Sequence, residues 1–317
     1  MNELRKDAAT TLTVGDDAAG QRIDNFLCRV LKGVPKSHVY RILRKGEVRL
    51  NRKRVGPEAR LAVGDIVRVP PVKTAAAPAS KVAAPPRPVR IPAIYEDDAL
   101  LVLDKPAGLA VHGGSGVAHG AIEQLRHARP DARFLELAHR LDRETSGVLL
   151  VAKTRPALLS LHAQLREGRV DKRYLVLIGG RWRDAKRVVR VPLHKFVTRD
   201  GERRVRVEEE GREAITVFRR ERAWPKHDPP LTLLEAELET GRTHQIRVHL
   251  AHLGFTLAGD DKYGDFTWNK VLAKAGLRRM FLHAQRVTLA HPVDGTPLSL
   301  ASPLPPDLQA FVDSLDA

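Results

Sequence analysis

The sequence predicts an α+β protein in two parts, and three observations predict it. Strand-like apolar runs and helix-like periodic runs follow one another without the regular alternation of a doubly wound parallel sheet. A short, strongly basic stretch precedes them over residues 10–70. Between the two, residues 71–90 carry Pro71, Pro78, Pro85, Pro86 and Pro88 among alanines, with almost no large apolar side chain. Such a segment buries too little to fold and is stiffened by proline, so it is read as a linker. The larger part then spans 91–317, and 317 residues suffice for about two domains.

In the small part, Arg22 to Leu31 reads as an amphipathic helix with Ile23, Phe26, Leu27 and Val30 on one face. Pro35-Lys36-Ser37 opens a second helix through Lys45, and Gly46 stops it. Val39, Ile42 and Leu43 point inward, which leaves Lys36, Arg41, Arg44 and Lys45 for solvent or a partner. Two strands follow, 47–51 and 65–69. In the large part, 100–103, 148–153, 173–178, 215–219 and 231–238 read as strands, and 121–126, 156–166 and 244–252 as helices.

Charge narrows the partner. The chain holds 54 Lys+Arg against 38 Asp+Glu, a net of +16, and residues 10–70 hold 13 against 6, a net of +7. Such an excess favours a polyanion, most simply nucleic acid. The single cysteine, Cys28, excludes an internal disulfide and sits among apolar residues as a small core side chain. No apolar run approaches the roughly 18 residues of a membrane span. The N-terminus has no hydrophobic region after its charges, so a cytoplasmic location is expected.

The run His139-Arg140-Leu141-Asp142-Arg143-Glu144-Thr145-Ser146-Gly147 carries most of the chemical information. It places a carboxylate between two arginines, in a polar loop flanked by apolar strands. Catalytic groups often occupy such loops at a core edge. Asp142 then suits a nucleophile or a stabiliser of positive charge at a sugar carbon. On the residues alone, a structural Asp–Arg pair tying the loop fits as well.

Three other segments accompany it. Asp104-Lys105-Pro106-Ala107-Gly108 ends a strand in a turn where Gly108 takes a backbone conformation closed to other residues. Lys172 and Tyr174 share one face of a strand, and Tyr174 offers either a core side chain or a flat surface for a nucleobase. Gly241-Arg242-Thr243-His244-Gln245-Ile246-Arg247 opens a helix with Thr243 as the natural N-cap. Gly254 ends that helix, and Arg247 lies early enough to reach a carboxylate from another segment. His244, His249 and His252 lack the companions of a metal site. Glycines 113, 114, 116 and 120 match neither phosphate-loop spacing. No metal and no cofactor is expected.

The small part resembles the S4 RNA-binding domain, on Gln21-Arg22-Ile23-Asp24-Asn25-Phe26-Leu27, Lys36-Ser37, Arg44-Lys45-Gly46-Glu47-Val48-Arg49-Leu50-Asn51 and Gly64-Asp65. That likeness implies RNA contact through Lys36, Ser37, Arg41, Arg44, Lys45 and Asn51. The large part resembles the pseudouridine synthases of the A-type rRNA/tRNA family. The likeness rests on His139-Arg140-Leu141-Asp142-x-x-Thr145-Ser146-Gly147, the Lys-Pro-x-Gly turn, Lys172-x-Tyr174 and Gly241–His249. Gly259-Asp260-x-Lys262-Tyr263-Gly264 and Leu282-His283-Ala284 also match. Ala19–Leu27 and Leu31–Ser37 point to the bacterial branch acting on large-subunit (23S) rRNA.

The resemblance implies a mixed, mainly antiparallel sheet with flanking helices. It also implies isomerisation of uridine to its C-glycoside in rRNA, without a cofactor; on oligomeric state the sequence is silent, and a monomer is the simplest expectation. Asp142 would be the catalytic carboxylate, Arg247 its ion-pair partner, and Tyr174 the group stacked on uracil. Arg140 would fill the position vacated by the flipped base, or serve as a structural ion pair. The same chemistry on other rRNA sites or on tRNA, a non-catalytic RNA-binding assembly factor, and a nucleosidase are the alternatives. A nucleosidase would normally carry a second carboxylate nearby, for which only Glu144 offers itself.

Overall fold

The structure is a computed structural model that describes residues 8–15, 18–31, 34–72, 90–113, 119–198 and 201–316. Apart from Pro71, Val72 and Arg90, the expected linker lies outside the described residues, as do Gly114 and Gly116. The chain divides into two units, Met1–Arg87 and Pro88–Ala317.

The first unit comprises β1 (Thr10–Thr13), α1 (Ile23–Val30), α2 (Lys36–Arg44), β2 (Arg49–Leu50), β3 (Lys53–Arg54) and β4 (Ile66–Val69). Its strands pair antiparallel in the order β1-β4-β2-β3. The apolar faces of both helices meet the sheet in one core that includes Ile23, Leu27, Val39, Ile42, Val67 and Val69. Val72 joins that core, so the module continues past residue 70. Cys28 is half-buried against it. The expected strand over 47–51 shortens to Arg49–Leu50 because Asn51 and Arg52 turn left-handed, at φ +48° and +68°.

The second unit comprises β5 (Ala93–Glu96), β6 (Leu100–Lys105), α3 (Ala121–Ala128), β7 (Glu136–Leu137), β8 (Ser146–Ala152), α4 (Arg155–Arg166), β9 (Asp171–Gly179) and β10 (Lys186–Arg190). It continues with β11 (Leu193–Val197), β12 (Arg203–Val207), β13 (Ile215–Trp224), β14 (Leu231–Leu238), α5 (Gln245–His252) and β15 (Thr256–Leu257). α6 (Phe266–Lys274), β16 (Leu282–Ala290), β17 (Pro297–Ala301) and α7 (Pro306–Ser314) complete it. The main sheet runs β10-β13-β14-β9-β16-β8-β6-β5, with β15, β17 and β7 paired at its margins. Strands β11 and β12 form a separate hairpin.

Within the main sheet every pairing is antiparallel except that of β8 with β16. All seven residues of β8 are buried, as its apolar run requires of a central strand. Gly147 permits the parallel contact. Its φ is +107°, and a Cβ there would stand 2.2 Å from the Ala284 carbonyl oxygen. α4 packs beside β8 in a core with Leu150 and Leu161, while Ile246 and Leu250 of α5 join the other principal core with Val176 and Phe218. No helix among the described residues is long and apolar enough to cross a membrane.

Candidate active site

A cavity of about 550 Å³ opens in the second unit, within the ~300–1,000 Å³ typical of ligand sites. Asp142, Tyr174, Arg247, His244 and Arg140 all line it. They come from four places: the loop between β7 and β8, strand β9, the first turn of α5, and the residue before that helix. The fold thus brings together every second-unit residue singled out above as catalytic or RNA-binding.

Asp142 stands on a loop fixed at both ends. At the near end, the His139 imidazole accepts a hydrogen bond from the Leu150 backbone N–H at 3.1 Å. Burial, with Lys172 close by, pushes His139 down to about 4, so it is neutral. At the far end, Ser146 donates to Nδ1 of the buried His283 at 2.9 Å and accepts from Arg279 at 2.6 Å. Nε2 of His283 lies 3.1 Å from the Ser302 carbonyl, which only accepts, so that nitrogen carries the proton. Beneath the loop, the fully buried Lys105 donates to the carbonyls of Pro106, Leu109 and Arg143 at 2.8, 2.8 and 3.1 Å. Burial pushes its ammonium down to about 7, while those three acceptors use all three of its protons. The Lys-Pro-x-Gly turn, with Gly108 at φ +80°, is thereby stitched to the Asp142 loop.

Arg247 governs the electrostatics. Its Nε and Nη2 donate to both oxygens of Asp260 at 2.7 and 2.6 Å, and its Nη1 donates to Asp142 Oδ2 at 3.2 Å. Burial opposes its charge, yet the two carboxylates raise its pKa. Burial likewise opposes ionisation of Asp260. The Arg247 fork, with the Lys262 and Tyr263 N–H groups, holds that carboxyl below its usual range. Arg247 also lies over the Tyr263 ring, 5.1 Å from its centroid. The expected Arg247–Asp142 pair is therefore present, but the principal partner of Arg247 is Asp260.

The start of α5 differs from expectation. Thr243 does not cap it: the N-cap is His244, in left-handed conformation at φ +53° with no side-chain cap bond. A non-glycine residue there is uncommon, and such strain concentrates at functional sites. His244 Nδ1 lies 2.9 Å from the Tyr263 hydroxyl and Nε2 lies 3.8 Å from Asp142 Oδ2. Burial lowers its pKa, against the pull of Asp142. Gln245 anchors the turn by donating to Ile215 O and Thr216 Oγ1 and accepting from Thr240 and Arg242.

Tyr174 is 7% exposed. Burial first, and the Asp142 charge second, push its phenol pKa up, so it remains neutral at ordinary pH. Arg140 is exposed on the cavity wall, and its side chain makes no ion pair or hydrogen bond among the described residues. No three His, Cys, Asp or Glu side chains among the described residues converge as metal ligands.

In the first unit, Lys36, Ser37, Arg41, Arg44 and Lys45 are exposed along α2 and its C-cap, with Arg41 bonded to His38 at 2.9 Å. Arg54 donates to the Arg44 and Lys45 carbonyls at the end of that helix. Asn51 holds two strands in place, since its amide donates to Asp65 at 2.7 Å and accepts from the Ile66 N–H at 2.8 Å. Sequence reasoning named Asp260, Tyr263, His244, Gln245 and Lys105 only as parts of matching segments, without a role in the site. Spacing within one segment cannot reveal partners that arrive from others.

Comparison with known proteins agrees with this geometry. Residues 99–252 match the family described as RNA pseudouridylate synthase, and residues 21–67 match the S4 domain. The ribosomal large subunit pseudouridine synthase C of Pasteurella multocida is 50% identical over 311 residues, 97% of this chain and 94% of that one. The protein of the same name from Escherichia coli is 50% identical over 306 residues, 94% of each chain. Among solved structures, human RNA pseudouridylate synthase domain containing 1 superposes with a TM-score of 0.56 at 24% identity, over 72% of this chain and 95% of that one. Human RNA pseudouridylate synthase domain containing 4 gives 0.55 at 25% identity, over 71% and 92%. Half of its residues are shared with such relatives over nearly its whole length, and the chain belongs to the RNA pseudouridylate synthase family, whose members isomerise uridine within RNA.

Proposed function

We propose that this enzyme converts specific uridines of large-subunit rRNA to pseudouridine, with Asp142 as its catalytic carboxylate. The observation that carries the reading is the asymmetry of Asp142. Arg247 holds Oδ2, while Oδ1 has no hydrogen-bond partner among the described residues, and the side chain lines the cavity. The substrate class follows the relatives named for the large ribosomal subunit and the accompanying S4 domain.

The reaction breaks the N1–C1′ bond, turns the uracil and joins C5 to C1′. Atoms are conserved, so the isomerisation calls for no redox or group-transfer cofactor. Bond breaking develops positive charge at the ribose, which a fixed carboxylate traps or stabilises. The target uridine must first leave its stack, at a cost of about a few kcal/mol. Tyr174 supplies an apolar face for the flipped base, and Arg140 a planar cation for the vacated stack. As a neutral phenol, Tyr174 relays the C5 proton only in concert with another base. The exposed cations of α2 meet the rRNA backbone, and a monomer in the cytoplasm suffices.

Tritium release from rRNA carrying 5-tritiated uridine tests the reading. Release by the parent enzyme and none by Asp142→Ala is the expected result. Release from tRNA alone would overturn the substrate. Tight binding of rRNA without release from either RNA would make the protein a non-catalytic assembly factor.

A further inference from the structure

The cations lining the cavity are of two kinds. Arg247 is tied to Asp142 and Asp260, and Arg242 donates through Nε to the Glu213 carbonyl. The side chains of Arg140, Arg166 and Lys172 make no ion pair or hydrogen bond among the described residues. Arg140 already has a place in the reading above. Arg166 and Lys172 do not.

Lys172 is the informative member. It lies on β9 two residues before Tyr174, on the same face, and borders both the main cavity and a narrower recess beside it. Burial lowers its ammonium pKa, and only the adjacent Asp171 opposes this. That carboxylate is itself engaged through both oxygens by Arg173, at 2.7 and 2.9 Å. A half-buried ammonium with no side-chain acceptor among the described residues loses part of its hydration without a protein partner in return. Arg166 reaches the same cavity from the last turn of α4, where the helix dipole alone would favour a cation. Lys172, on a strand, has no such reason to be there.

The charge balance points the same way. Five cations line the cavity, Arg140, Arg166, Lys172, Arg242 and Arg247, against the carboxylates of Asp142 and Glu239. Arg247 already answers Asp142. A neutral uracil needs none of the remaining charge, whereas an RNA phosphate needs an ammonium or guanidinium in reach.

We infer that Lys172 and Arg166 form a subsite for a backbone phosphate of the RNA strand carrying the target uridine. The inference rests on the functional reading above and adds where strand charge is met inside the cavity.

The test compares the full-length parent, Lys172→Gln, Arg166→Gln and Lys172→Arg. An in vitro transcript of large-subunit rRNA is the probe, with KCl varied between about 50 and 300 mM. The Gln variants should each flatten the slope of log Kd against log[salt], by up to about 0.7–0.9. Lys172→Gln should weaken binding about ten-fold at low salt, and Lys172→Arg should restore both slope and affinity. Tritium release at saturating RNA should stay within about two-fold of the parent, so that KM moves and kcat does not. A parental slope in both Gln variants overturns the subsite. A fall in kcat with KM and slope unchanged also overturns it, in favour of a role around Tyr174. Should Lys172→Gln fail to fold, the slope of the exposed Arg166→Gln decides alone. Absence of tritium release by the parent overturns the functional reading instead, and the binding slopes still judge the subsite.

Discussion

Arg247 grips Asp142 by one oxygen only, Oδ2 at 3.2 Å. The other oxygen of Asp142 has no partner among the described residues, while Arg247 spends its two shorter bonds on Asp260. The two aspartates therefore have separate roles. Asp260 fixes the guanidinium, and the guanidinium holds Asp142 by Oδ2 on the cavity wall.

Asp142→Asn should abolish tritium release while stability changes by less than about 1 kcal/mol, since the shape is kept and only the charge of a partly exposed side chain with one long hydrogen bond is lost. Activity and a urea melt on the same preparation check this. A large loss of stability would make Asp142 a structural residue.

Asp260→Ala should behave in the opposite way. It leaves the Arg247 guanidinium buried with one weak partner, and breaking a buried pair from one side costs about 3–5 kcal/mol. Asp142 would lose its orientation as well, so turnover should fall with stability. A urea midpoint close to the parent's would show that the Arg247 fork is dispensable.

Gly147→Ala should destabilise by roughly 2–5 kcal/mol. A left-handed backbone costs an ordinary residue about 1–2 kcal/mol, and forcing a methyl group against the Ala284 carbonyl adds about 1–3. Thermal unfolding tests the number. Tritium release by the folded fraction tests whether the parallel β8–β16 contact sets the Asp142 loop.

Acid should weaken the fold through His139. Its pKa of about 4 lies below the ordinary histidine value of ~6.5, so the unfolded chain takes up a proton that the native state refuses. The contribution is complete above about pH 6.5 and declines by up to about 1.4 kcal/mol per unit as pH falls toward 4. Urea unfolding at pH 7, 6 and 5 should show a shallower decline in His139→Gln. Equal declines would locate the acid sensitivity elsewhere.

Replacing Arg41, Arg44 and Lys45 together by Gln should weaken rRNA binding and flatten its salt dependence. The slope should fall by up to about 0.7–0.9 log units for each phosphate no longer neutralised. These side chains are exposed, so the melting temperature should hold. An unchanged salt slope would remove α2 from the RNA interface.

Much of the fold was legible because it depends on near neighbours in the chain. The apolar run through Val148–Val151 reads as a strand and is one. The inward faces of α1 and α2 follow from helical spacing, and Leu231–Leu238 falls where the pattern puts it. Strands β10 to β12 were missed because their alternation is covered by arginine and lysine, as in Lys186-Arg187-Val188-Val189-Arg190. The hairpin of β11 and β12 depends on contacts outside itself, such as the Tyr263 hydroxyl accepting from the Val205 N–H.

By itself the sequence singled out an aspartate in a polar loop, a tyrosine on a strand and an arginine at a helix start, and, in a separate module, a basic helix. These are properties of short segments, set by side-chain chemistry and periodicity. Only the tertiary structure decided that Asp142 and Arg247, 105 residues apart, share a bond that is secondary to the Arg247–Asp260 fork. It alone decided that His244 abandons helical geometry and that Lys105 spans 38 residues to the Arg143 carbonyl. Sheet order sets such contacts, and desolvation fixes their strength. Neither leaves a mark on the residues adjacent in the chain.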